Sequence, residues 1–207
     1  MPEPTIEVNN TDYVSTGKGV AGGYYLVVEK PSTAAALDTL IASLLSSSDR
    51  PTGAVNLGYI TSDGVTESIS KSTTVENDMN GDPIITTGSD RTETWRMRFA
   101  EVKRKAVLEL MYGAGNVSES SGKIVAWHSN VDLPEMVHIL DLVLKDGSRA
   151  RRCMPQGQLT ELGDLSINST SILGRETTVS GNLYTSQDGT MSGTAFEVYW
   201  PVPSSNG

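Results

Sequence analysis

The side chains with reactive potential are few and far apart. His128 and His138 are the two histidines of the chain, and neither has a second ligand at metal spacing: there is no HExxH, no CxxC and no acidic EF-hand loop. A hydrolytic triad has many serines to draw on, yet no GxSxG elbow exposes one as a nucleophile. Glu135, Asp141, Glu161 and Asp164 offer carboxylates for glycoside hydrolysis, but nothing in their spacing sets them apart from solvated strand positions. Cys153 is the single cysteine, so no internal disulfide is available and a reducing compartment suits folding; it reads as a small apolar filler. The segment GKGVAGG at 17–23 lacks both the Lys-Ser/Thr ending of a phosphate loop and the strand that precedes a dinucleotide fingerprint, and is read as a flexible turn. The expectation is a protein that is not an enzyme, with no metal and no cofactor.

Composition narrows the class further. The chain has 207 residues, is 37% hydrophobic and only 6% aromatic, and is rich in Gly, Ser and Thr, which suits an all-β body with many turns. A formal net charge of −9 is the opposite of the basic footprint of a nucleic-acid reader. The opening MPEPTIEVNN has neither the basic region nor the apolar core of a secretory leader, and no apolar run reaches membrane-spanning length. Synthesis in the cytoplasm without membrane insertion is expected.

The elements follow from periodicity. Residues 1–18 read as an extended N-terminal arm and 19–207 as a single β domain. Leu37, Leu40, Ile41, Leu44 and Leu45 recur at helical spacing, predicting a helix over about 33–46 capped by Ser32 or Thr33. Val107, Leu110 and Met111 predict a second, short helix over about 102–112, ended by Gly113 and carrying Lys103, Arg104 and Lys105 in its first turn. Strands are expected at 24–29, 123–128, 136–144, 148–154, 158–167, 172–184 and 194–200, with Asp146-Gly147 turning one hairpin and a loop over 114–122. The fold class is mainly β: a sandwich or partly closed barrel with one or two flanking helices.

The least ordinary stretch is 57–113. Its first strand, 64–75, alternates but has almost no apolar face: Thr66, Ser68, Ser70, Ser72 and Thr74 share one parity, and Glu67, Lys71 and Val75 lie on the other. A loop over 76–83 contains Asn80-Gly81, a strong hairpin signal, with Glu76 at its start. The return strand, 84–99, places Trp95, Met97 and Phe99 on one face and Thr92, Thr94, Arg96 and Arg98 on the other. Two long strands without a complete apolar face make a poor half of a sandwich and a good wall for something wet.

This order of features resembles the major tail (tail tube) proteins of long-tailed bacteriophages. The resemblance rests on LGYITSDGV, then a polar strand pair, TWRMRFAE, a short helix ending in MYG, the Lys145-Asp146-Gly147 hairpin and MPQGQLTELGD at 154–164. It implies a virion protein assembled in the host cytoplasm, whose hexameric rings stack into a tube that conducts the genome, the long hairpin contributing to a barrel shared between subunits. Tape measure, tail terminator and distal tail proteins are the implied partners, and viral DNA passes through without specific binding. On this reading Thr66, Ser68, Ser70, Ser72, Thr74, Thr92 and Thr94 line the lumen. Glu67, Lys71, Glu76, Asn80, Gly81, Glu93, Arg96 and Arg98 are candidates for contacts between subunits or rings, with Arg96 and Arg98 expected to pair with carboxylates of the same or a neighbouring subunit, Glu67 and Glu93 being the candidates. The alternative is a receptor- or glycan-binding β-domain, an adhesin or decoration protein, which needs an exposed aromatic patch.

Overall fold

The computed structural model describes residues 14–202, apart from Ser166 and the side chains of Ser89 and Asp90. Its elements are β1 (Gly17–Gly19), β2 (Tyr25–Glu29), α1 (Ala34–Ser46), β3 (Val55–Asn56), β4 (Ile60–Asn77), β5 (Pro83–Phe99), α2 (Lys105–Tyr112), β6 (Val117–Ser120), β7 (Lys123–Ala126), β8 (Met136–Leu144), β9 (Arg149–Leu165), β10 (Arg175–Gly181), β11 (Tyr184–Thr185), β12 (Ser192–Gly193) and β13 (Phe196–Trp200). The expected mainly β architecture with two helices is what the chain forms.

Nine strands make one antiparallel sheet in the order β3-β2-β8-β9-β10-β5-β4, with β1 added to β8 and β13 to β9. The sheet coils about its own core, so that strands far apart in this order meet: the Tyr25 ring of β2 lies edge-on to Trp95 and Phe99 of β5, with centroids 6.3 and 5.5 Å apart. Tyr24 Oη accepts the Ile60 amide at 2.6 Å, bringing the start of β4 back to β2. No backbone pairing joins β3 to β4 among the described residues, so the coil stops short of a closed barrel.

The inner core holds Tyr25, Leu57, Trp95, Met97, Phe99, Met154 and Val179, and α2 plugs one end with Val107, Leu110 and Met111. A second apolar layer lies on the other face of the sheet, where α1 seats Leu37, Ile41 and Leu44 on Leu26, Val137, Ile139 and Cys153. Thr33 caps α1, its Oγ1 accepting the Ala36 amide at 3.3 Å, so the Leu-rich stripe is a sheet-packing face. The other end of α1 is held by a buried cation. Arg151 is fully buried, donates to both Asp141 carboxylate oxygens at 2.6 and 3.0 Å, and donates to the carbonyls of Ser47 and Asp49 at 2.8 and 3.0 Å. Its guanidinium also sits 5.4 Å from the Trp200 ring. One strand residue thus satisfies carbonyls of the segment that leaves the helix, together with that of Leu44 in its last turn at 3.3 Å.

Several boundaries differ from the sequence reading. The strands expected at 148–154 and 158–167 are one strand, β9, running through Pro155 and Gly157. Pro155 falls in a bulge between the pairs His138–Met154 and Met136–Gly157, where its missing N–H has no ladder partner to lose. Gly157 is required by close packing: a Cβ there would lie 2.4 Å from the His138 ring. Residues 17–19 are not a free turn but a strand paired with Leu142–Leu144. The rest of the expected N-terminal arm, residues 1–13, lies outside the described residues. α2 starts at Lys105 rather than 102, because Glu101 accepts from Arg104 and from the Tyr59 amide and holds a turn there; Lys103 and Arg104 therefore precede the helix. The loop expected at 114–122 contains β6, turned by Ser121 and Gly122 at φ 51° and 75°.

Candidate functional site

β4 and β5 are 18 and 17 residues long, and only part of that length belongs to the body. β10 covers the far edge of β5 from Glu93 to Arg98 and no further. Beyond that point the two strands continue as a ribbon, paired through Asn77–Pro83, with every described residue from Ser68 to Asn77 exposed. Nine residues from Arg91 to Pro83 span about 30 Å at roughly 3.4 Å per residue. No strand among the described residues pairs with the outer edge of β4 anywhere along its length. The arm thus presents two rows of unpaired peptide groups and two open faces.

At the arm's tip, Asp78 builds the turn. Its carboxylate accepts the Asn80 and Asp82 amides, both at 2.8 Å, and these bonds hold its pKa below the ordinary carboxylate value. Gly81 supplies φ 89°. Asn80, Gly81 and Glu76 are exposed around this tip, and Lys71 lies exposed where the arm leaves the body.

The register assigns the faces. Thr66, Ser68 and Ser70 stand opposite Arg96, Thr94 and Thr92, so the hydroxyl residues of both strands share a face at the base. A bulge follows: Lys71 faces Arg91 and Thr73 faces Gly88, putting two β5 residues opposite Ser72. Further out, Thr74 faces Thr87, so the small hydroxyl face continues while the β5 parity changes. The same face extends beyond the hairpin into the body. Thr178 and Ser180 of β10 pair with Arg96 and Thr94, and Glu161 and Gln158 of β9 lie next to them. None of the four was assigned to this face from the sequence, and Glu161 was named there only as a carboxylate; for Thr178 and Ser180 the alternation in ETTVSG at 176–181 carries the signal.

Within one chain the expected pairing of Arg96 and Arg98 with Glu67 and Glu93 does not form, because strand alternation puts the two sets on opposite faces. Arg96 instead meets Glu176 at 3.5 Å. Glu67 and Glu93 turn inward. Glu67 accepts from Trp95 Nε1 at 3.2 Å and from Arg152 at 2.7 Å, and Arg152 also reaches Glu197 at 2.7 Å. Glu93, 2% exposed, accepts from Thr194 Oγ1 at 2.6 Å and from Arg91 at 3.3 Å. Burial, then a hydrogen bond with Glu93, raises the Glu67 pKa against the pull of Arg152. Glu67 and Glu93 thus fasten the base of the hairpin to β9, β13 and the loop before it.

The histidines are separate. His138 is fully buried, shares a 3.0 Å hydrogen bond with Tyr25 through Nδ1, and leaves Nε2 without a hydrogen-bond partner among the described residues; burial lowers its pKa to about 4. His128 stacks on Tyr112 at 4.1 Å. Cys153 is buried and its thiol pKa is raised by that burial. Of the tryptophans, Trp95 is buried and Trp127 is 70% exposed. No group of three or more metal-ligating side chains occurs among the described residues.

No family model matches the chain, and no curated protein matches it. Among solved structures it is similar to the anti-feeding prophage cap, a tube terminating cap, with 11% identity over 96% of this chain and 97% of that one and a TM-score of 0.44. A likeness of that size carries no function to this chain.

Proposed function

We propose that the chain is a structural subunit of a phage-type tail tube, in which the β4–β5 arm joins neighbouring copies into rings and the Ser/Thr face lines a water-filled conduit. The observation behind this reading is the arm itself: a long two-stranded ribbon whose edges no other strand among the described residues pairs with. Isolated two-stranded hairpins are marginal in water, and open edges invite pairing with another chain; closing a ring of such arms into a shared barrel answers both problems. Small hydroxyl side chains hydrate the wall, Arg96 on the same face is engaged by Glu176, and the net charge of −9 disfavours DNA adhesion. Stacking of rings is a heterologous contact that extends without limit, as a tube requires. The reading is non-catalytic, with the virion as the site of action, and tape measure, terminator and distal tail proteins as further partners.

Negative-stain electron microscopy of the purified protein, fresh and after concentration, tests it. Hollow tubes or stacked rings are expected. Deleting 76–83 should leave folded subunits that do not polymerise, and tubes from that deletion would remove the arm from the assembly. In phage particles, Ser70→Lys with Ser72→Lys should slow genome ejection, and unchanged ejection would count against the lumen face.

One observation favours a second reading. Trp127 is exposed and precedes His128, whose ring stacks on Tyr112, and exposed aromatic rings suit a sugar in a glycan-binding domain. Monodisperse particles that bind a glycan array through Trp127 would replace the tube.

A further inference from the structure

We infer that the tip of the arm on one copy seats on the opposite end of β5 on the next copy, an acidic, apolar loop on a basic, apolar ledge. This rests on the assembly reading and specifies its axial contact. The tip carries Glu76, Asp78 and Asp82, and between them Met79 stands 103% exposed; Ile84 and Ile85 follow at 65% and 57%. Large aliphatic groups so freely exposed on a ribbon call for a partner.

The ledge is built by the β9–β10 connection. Ile167, Ile172 and Leu173 are 79%, 58% and 41% exposed there. Gly174 fixes them against the base of the hairpin, since a Cβ at that glycine would lie 2.6 Å from the Phe99 carbonyl and 3.0 Å from the Arg98 side chain. The charges at and just after this end of β5 divide unevenly. Glu176 is engaged by Arg96, and Glu101 by Arg104. Arg98 and exposed Lys103 have no carboxylate partner among the described residues, whereas Asp164 is the exposed acid nearby in sequence.

One chain cannot join these surfaces. Arg98 and Ile84 are fourteen residues apart on the same extended strand, about 45 Å at roughly 3.3 Å per residue. The occupant of the ledge is therefore a second copy, approaching head to tail, with opposite charges at its two ends.

The test uses two charge-reversed full-length proteins, Glu76→Lys/Asp82→Lys at the tip and Arg98→Glu/Lys103→Glu at the ledge, each checked for the wild-type circular dichroism spectrum. Asp78 is left intact because it builds the turn. Each variant alone should need at least tenfold more protein than wild type to start assembly by light scattering, and an equimolar mixture should recover most of that loss as alternating filaments. Either variant assembling like wild type, or a mixture no better than its components, overturns the inference. If the ledge variant fails to fold, Met79→Cys with Ile172→Cys replaces it: oxidised tubes should give a ladder of linked copies on a denaturing gel. Tubes without that ladder overturn the docking but keep the tube; wild-type protein that never assembles overturns both.

Discussion

The base and the outer half of the β4–β5 hairpin share one hydrogen-bond ladder yet differ in everything else. At the base, Trp95, Met97 and Phe99 are no more than 2% exposed and pack on Tyr25 and α2, while β10 covers the free edge of β5. About 30 Å out, at about 3.4 Å per residue, the same strands have no core beneath them and no neighbour beside them among the described residues. Backbone pairing alone contributes little net stability, because the unfolded peptide groups hydrogen-bond to water. The base is therefore stabilised by its own chain, and the outer half depends on whatever binds it. That separation lets the outer half of the hairpin change with small effects on the fold.

Substitutions at each end sharpen the contrast. The largest effect should come from the body: Arg151→Leu strands the half-buried Asp141 carboxylate and the carbonyls just after α1, and should cost about 3–5 kcal/mol in urea unfolding of the monomer. A loss below about 1 kcal/mol would mean that α1 does not rely on this residue. Next is acid sensitivity. His138 has a folded pKa of about 4, below the unfolded value of 6.5, so the unfolded chain takes the proton first. Stability should fall by roughly 3 kcal/mol as pH drops from 6.5 to about 4, and His138→Asn should flatten that slope. Gly157→Ala should follow, at about 1–3 kcal/mol, from overpacking against His138. At the small end, Ile84→Ser in the arm should change monomer stability by no more than about 0.5 kcal/mol. A larger loss there would show that the arm folds against the body and would erase the contrast.

The sequence made the hairpin visible because alternation is a local signal. Thr66, Ser68, Ser70, Thr92 and Thr94 do share a face, as their parity required. Long-range partners were not visible. Nothing local says that Glu67 finds Arg152, 85 residues away, rather than Arg96 on the facing strand. The bulge opposite Ser72 was equally hidden, since it is a property of the pair of strands. Pro155 suggested a break because a proline in a central strand normally removes a ladder bond; the bulge in β9 absorbs it. The Leu-rich helix was legible in its limits and apolar stripe, while its anchor, Arg151, lies more than a hundred residues downstream.

β9 has a mechanical consequence. Its first half pairs with β8 and β13, and its second half with β10, which in turn holds the hairpin. A pull along the arm reaches the α1 side of the sheet through these ladders in shear, with many peptide bonds resisting together, rather than by unzipping one at a time. Arg151, in the first half of β9, ties α1 to the same strand. A filament of such subunits would carry tension through a continuous spine of β-structure, with the helix moving as part of it.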